Sequence, residues 1–231
     1  MGDTVAGLHA VLGVLMALLE RKQSRGTGGQ VIDVALYEAM FNLMEGVLPE
    51  FDGAGAIREP SGSTLTGIVP TNTYLCADDK HVVIGANGDS IYVRLMKAIE
   101  RTDLANDPKL STNSGRVENQ QEIDDAISSW TNSRTSTQVM KILEDAEVPV
   151  GLIYNIKDML EDPHYQSRDL FEEVEVDGNS LKIPAILPKL SKTPGRTNHP
   201  GPQVGSSTID TLKELGYSEE ELNSMKNNGD I

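Results

Sequence analysis

The chain has 231 residues and a formal charge of -15, long enough for one large or two small cores without covalent staples. That acidic balance, with no Lys/Arg cluster against it, repels phosphate backbones and anionic membrane surfaces, so nucleic acid and membrane are excluded as partners. Cys76 is the only cysteine, which rules out an internal disulfide and suits a reducing compartment, the cytoplasm or a mitochondrial matrix.

Residues 3–22 are predicted as a helix, because Val5, Leu8, Val11, Leu12, Leu15, Leu18 and Leu19 recur at intervals of three and four. Asp3 falls at its N-cap or in its first turn, while Arg21, Lys22 and Arg25 suit the negative end of its dipole. Val14 and Met16 widen the apolar stripe to most of the circumference, the pattern of a helix buried on several sides. The apolar stretch Leu8–Leu19 is shorter than a bilayer span of about 20 residues, so a core helix is expected. A signal peptide is not expected, since Asp3 stands where a basic region is needed.

Gly26-Thr27-Gly28-Gly29 breaks this helix. A short strand is predicted over residues 30–35, a helix over 36–48, and a long connection over 49–71 that is functional or disordered. Residues 73–76 and 81–86 flank Ala77-Asp78-Asp79-Lys80 as a hairpin. Gly85-Ala86-Asn87-Gly88 fits no phosphate-binding pattern and is read as a turn into a helix faced by Ile91, Leu95, Met96 and Ile99. Helices follow over 116–130 and 135–146, the second capped by Ser136 and Thr137. A strand or extended segment lies within 148–153, and a helix starts at Asn155 and ends before Asp162-Pro163. Asp177-Gly178-Asn179 turns a second hairpin between 171–176 and 181–183. Residues 184–207 are proline-rich and extended, and two short helices, 207–215 and 218–225, close the chain.

The candidate functional residues are few. Asp3 by itself reads as a helix cap, Gly62 and Gly67 as a turn pair, and His9 as a core histidine two turns from Asp3. His81, His164 and His199 are scattered, with no zinc-like spacing, so no metal site is expected.

Four blocks, in order, give these residues a context. They are Gly2-Asp3 with Gly28-Gly29-Gln30-Val31-Ile32-Asp33; Pro70-Thr71-Asn72-Thr73-Tyr74 with His81-Val82-Val83-Ile84; Val148-Pro149-Val150-Gly151 with Asp162-Pro163; and Pro200-Gly201-Pro202 with Leu212-Lys213-Glu214-Leu215-Gly216. Together they resemble the family III CoA-transferases (CaiB/BaiF type) over nearly the whole chain. The resemblance implies that Asp3 is the nucleophile, carrying coenzyme A as an aspartyl-CoA thioester between an acyl-CoA donor, with succinyl-CoA the expected one, and a carboxylic acid acceptor. No cofactor is held permanently, and the CoA thioester is a substrate. Residues 62–67 match the glycine loop that covers the intermediate in formyl-CoA transferases, with Gly62 and Gly67 kept and the glycines between lost, which points away from formyl or oxalyl groups.

The resemblance further implies an α/β enzyme of two domains, with an α+β small domain, assembled as an interlocked homodimer. Residues 1–49 would belong to a large Rossmann-like domain, 50–190 to the small domain, and 191–231 to a segment returning to the large one. Most of the Rossmann-like half and its CoA-binding residues would lie outside this chain, so the isolated polypeptide is expected to be inactive. Two other readings stay open: a non-catalytic or split-subunit binding module, and an enzyme of the α-methylacyl-CoA racemase type, in which Asp3 would exchange a proton at carbon.

Overall fold

Helix α1 runs from Gly2 to Gln23 in a computed structural model that describes residues 1–24 and 28–231; Arg25 and the Gly26-Thr27 part of the predicted break lie outside the described residues. The predicted burial of this helix is not met. Ala6 is its buried residue, while Leu8, Val11, Leu12, Leu15 and Leu19 are each more than half exposed. A helix apolar on most sides needs cover on most sides, and the described residues supply it on one. At 22 residues α1 also has the length and composition of a membrane span, which the shorter count from Leu8 to Leu19 had missed.

The strand predicted over residues 30–35 is absent. Alternating apolar residues become a strand only beside another strand, and no described strand pairs here. Val31 stays exposed. Ile32 instead lies over Gly13, where a Cβ would come within 2.8 Å of Ile32 Cγ2.

The single helix predicted over 36–48 is three pieces: α2 (Leu36–Phe41), a 3-10 turn (Asn42–Met44) and α3 (Val47–Ala54). Glu45 breaks it with φ 47, a left-handed conformation that no helix interior holds. The long connection therefore begins only after α3. Ala39 of α2 is buried, as is Ala6 of α1, and small side chains at both places let the two helices pack closely.

The chain divides into two units, Met1–Leu152 and Ile153–Ile231. In the first, β1 (Thr71–Leu75), β2 (His81–Gly85) and β3 (Val150–Leu152) form an antiparallel sheet in that order. Alternation sets its faces: Val82 and Ile84 are buried, His81 and Val83 exposed. Covering it are α4 (Asp89–Ala98), α5 (Thr102–Ala105), α6 (Asn113–Glu118), α7 (Gln120–Thr131) and α8 (Ser136–Asp145). Leu95, Met96, Ile123, Ile127, Val139 and Leu143 fill the core, each aliphatic side chain contributing about 1.5–3 kcal/mol by full burial.

The predicted helix 116–130 is thus two helices, divided at Asn119, whose φ of -116 ends α6. Thr135, rather than Ser136 or Thr137, caps α8 in a reciprocal box with Gln138. Asp78, in the β1–β2 turn, accepts from Ser136 N at 2.9 Å and Ser136 Oγ at 2.8 Å. These bonds hold the Asp78 carboxyl below the usual carboxylate range and fasten the hairpin to the start of α8.

In the second unit α9 (Ile156–Glu161) stops where expected, but Asp162 starts an unanticipated helix, α10 (Pro163–Ser167). Its carboxylate accepts from His164 N at 2.7 Å and Tyr165 N at 3.0 Å, and Pro163 suits the first helical position. β4 (Phe171–Val176) and β5 (Asn179–Pro184) pair with Val176 opposite Asn179. Asp177 (φ 52) and Gly178 (φ 75) make the type I′ turn read from the sequence. The extended segment after β5 is tied back where Thr197 N and Oγ1 donate to Glu172 at 3.0 and 2.9 Å. Helices α11 (Thr208–Glu214) and α12 (Glu219–Asn228) end the chain.

Candidate active site

Asp3 sits in the first turn of α1, and its side chain does not cap the helix: the N-cap is Met1. The carboxylate is exposed, and among the described residues it enters no hydrogen bond or ion pair. First-turn amide groups favour negative charge near them, so this is a carboxylate in a favourable field and not consumed by structure. A cleft of about 420 Å³ lined by Val14, Leu18, Arg21, Gln30 and Ile32 opens toward the other end of α1. At 1.5 Å per residue, Arg21 is about 27 Å along the axis from Asp3, so that cleft is not Asp3's.

His9 is not a core histidine, and both of its ring nitrogens are engaged. Its ring is half-buried, with Nδ1 2.9 Å from Val5 O and Nε2 3.2 Å from Asn42 Nδ2. Through these two contacts the imidazole ties α1 to the 3-10 turn.

Gly62 and Gly67 each occupy a β-turn. Thr64 N donates to Ser61 O at 3.3 Å around Gly62, whose φ is 64, and Ile68 N donates to Leu65 O at 3.2 Å around Gly67, whose φ is 80. Both conformations favour glycine. The hydroxyls cross-brace the first turn, Ser61 Oγ donating to Thr64 O at 3.0 Å and Thr64 Oγ1 to Ser61 O at 2.7 Å. Ser63 Oγ reaches Asn72 Oδ1 on β1 at 2.7 Å. The structure therefore makes residues 61–68 a double turn with both glycines exposed. Among the described residues no hydrogen bond or ion pair links it to Asp3.

What sequence reasoning missed lies under this loop. Arg116 is completely buried, donating to Val69 O (3.0 Å), Leu110 O (3.0 Å), Asn87 O (2.6 Å) and Asp89 Oδ1 (2.8 Å). Its guanidinium also lies 4.9 Å from the centre of the Tyr92 ring. Gly85-Ala86-Asn87-Gly88 is a strand-to-helix turn, as read, with its Asn87 carbonyl taken by Arg116. One helical turn before Arg116, Asn113 Nδ2 donates to Gly67 O at 2.8 Å and Oδ1 accepts from Val69 N at 3.1 Å. Asn-x-x-Arg places both side chains on one helix face, a signal the amphipathic pattern of α7 obscured. Among the described residues no group of three or more His, Cys, Asp or Glu side chains could hold a metal.

The chain belongs to CoA-transferase family III, whose model matches residues 1–208. It is 39% identical over 224 residues to the succinyl-CoA–D-citramalate CoA-transferase of Chloroflexus aurantiacus, covering 96% of this chain and 55% of that one. It is 34% identical over 229 residues to the alpha subunit of succinyl-CoA–L-malate CoA-transferase from the same organism, covering 98% and 53%. A CAIB/BAIF family protein from Brucella suis has the same fold, with a TM-score of 0.75 at 22% identity over 93% of this chain and 55% of that one. The chain spans about half the length of the curated relatives it matches.

Proposed function

We propose that this chain carries the CoA-accepting carboxylate of a transferase that takes CoA from succinyl-CoA and delivers it to a hydroxylated dicarboxylic acid of the citramalate or malate kind. The observation that carries the reading is Asp3, exposed in the first turn of a 22-residue helix and engaged in neither capping nor pairing. The names of the two relatives reported above support the choice of donor and acceptor.

In this mechanism the Asp3 carboxylate attacks the succinyl thioester carbonyl, expelling CoA thiolate and leaving a mixed anhydride. The thiolate attacks the aspartyl carbonyl, releasing succinate and forming aspartyl-CoA. The acceptor carboxylate then attacks that thioester, and the expelled thiolate attacks the acceptor's acyl carbon, regenerating Asp3. Covalent catalysis divides one difficult exchange into easier acyl transfers, and helix-start amides can stabilise the oxyanions that develop. The double turn at Gly62 and Gly67 limits water entry to the thioester. A homodimer is part of the same reading, supported by the uncovered apolar side of α1.

Incubation with succinyl-CoA followed by hydroxylamine tests the carrier. A hydroxamate on the Asp3 peptide is expected, and transfer that proceeds with hydroxylamine-insensitive, unmodified Asp3 would remove it from this role.

A further inference from the structure

We propose that Asn113 is a positioning residue for the transfer, clamping the root of the Gly62–Gly67 loop so that the loop returns to one geometry. This rests on the reading of that loop as the cover over the thioester. The geometry is specific. The Asn113 amide makes two bonds of opposite sense to residues two apart, Nδ2 donating to Gly67 O at 2.8 Å and Oδ1 accepting from Val69 N at 3.1 Å. It pairs with the loop as a backbone peptide group would. Arg116, three residues on and buried, takes Val69 O at 3.0 Å, so α6 holds both polar backbone groups of Val69 together with the carbonyl of Gly67.

The clamp sets where the loop can bend. With the Gly67 carbonyl fixed on one side, any change in the cover has to fall N-terminal to that carbonyl, in the turns around Gly67 and Gly62. The side chain of Asn113 is spent on this task alone. It stands at the first residue of α6, yet no side chain caps that helix and both of its amide atoms face the loop. Asp, Ser or Thr would serve a helix start as well, but none of them supplies a donor and an acceptor in this arrangement. The close fit that brings α6 here is visible at Gly115, where a Cβ would lie 1.7 Å from Lys109 O.

The test uses the assembled transferase with succinyl-CoA and malate, and measures free CoA thiol against CoA transferred to malate. Free thiol arises when water adds to the thioester carbonyl and the C–S bond breaks, giving carboxylic acid and CoA-SH. Asn113→Ala is expected to raise the ratio of hydrolysis to transfer by at least on the order of tenfold, the effect of losing both hydrogen bonds that clamp the cover. A loss of mere stability would lower both products together and leave the ratio alone. Asn113→Asp, which keeps the acceptor for Val69 N and loses the donor to Gly67 O, is expected to raise it in the same direction and serves if the alanine variant does not fold. Gly67→Ala, strained at φ 80, reports on the loop itself. If Gly67→Ala raises the ratio and neither Asn113 variant does, the role of Asn113 is overturned while the loop reading stands. If Gly67→Ala also leaves it unchanged, the loop reading itself fails.

Discussion

His9 and Asn42 join α1 to the turn that follows α2, the imidazole Nε2 lying 3.2 Å from the Asn42 amide nitrogen while Nδ1 engages Val5 O at 2.9 Å. His9 lies six positions after Asp3, about 9 Å along the helix. The tether thus fixes the half of α1 that presents the carboxylate, and it does so through a polar bond on a helix otherwise held by apolar contact.

Breaking that tether should be measurable as a coupling. His9→Ala and Asn42→Ala are each expected to cost about 1 kcal/mol in urea unfolding, with the double variant falling short of their sum by about 0.5–1 kcal/mol. Strict additivity would show that the bond contributes nothing to stability.

Arg116 carries a larger share. Arg116→Met would leave the buried carbonyls of Val69 and Leu110, and the part-buried one of Asn87, without their donor, an expected loss of about 3–5 kcal/mol. Arg116→Lys keeps the charge but not the planar fork, and should recover only part of it. A midpoint shift worth less than about 1 kcal/mol for the methionine variant would mean that water reaches those carbonyls.

These two sites mark what the sequence disclosed and what it did not. The β1–β2 hairpin was legible because residues 73–76 and 81–86 flank an Asp-Asp-Lys turn, Val82 and Ile84 alternating with exposed neighbours after it, and the β4–β5 hairpin because Asp177-Gly178 suits one turn type. Asp3 and the glycine loop were singled out through motif order, which marks them as candidates. The apolar runs at Leu8–Leu19 and Val31–Val34 were read as buried helix and strand, because hydrophobic periodicity reports a need for cover without naming the covering partner. Arg116 and Asn113 were missed for the opposite reason. Most of their partners are backbone groups, those of Gly67, Val69 and Asn87 being far along the chain, and no side-chain pattern announces those.

Removing the carboxylate should separate chemistry from stability. Asp3→Asn is expected to change unfolding free energy by no more than about 1 kcal/mol, since only the helix-dipole contribution is lost. CoA transfer should fall by on the order of 10⁴-fold or more, the scale of losing a nucleophile. Transfer retained within about tenfold would assign the nucleophile elsewhere.

The core of the first unit should fail on the alkaline side in a defined window. Burial pushes the Tyr92 hydroxyl up to about 12 from an ordinary 10, and it sits 3.3 Å from Leu104 O as a donor. Tyr74, raised first by burial and then by its 2.5 Å bond to Asp124, moves in the same direction. Both groups therefore hold their protons more tightly folded than unfolded. Their contribution is fully present below the unfolded value near 10 and is lost as pH rises through the folded value. Stability followed by circular dichroism, with tyrosinate absorbance in parallel, should decline above pH 10, steeply by about pH 12. Tyr92→Phe removes one titrating group, so its stability should fall less steeply over this window. Equal slopes for the two proteins would mean that the Tyr92 hydroxyl ionises without unfolding, and that the core around Leu104 admits water.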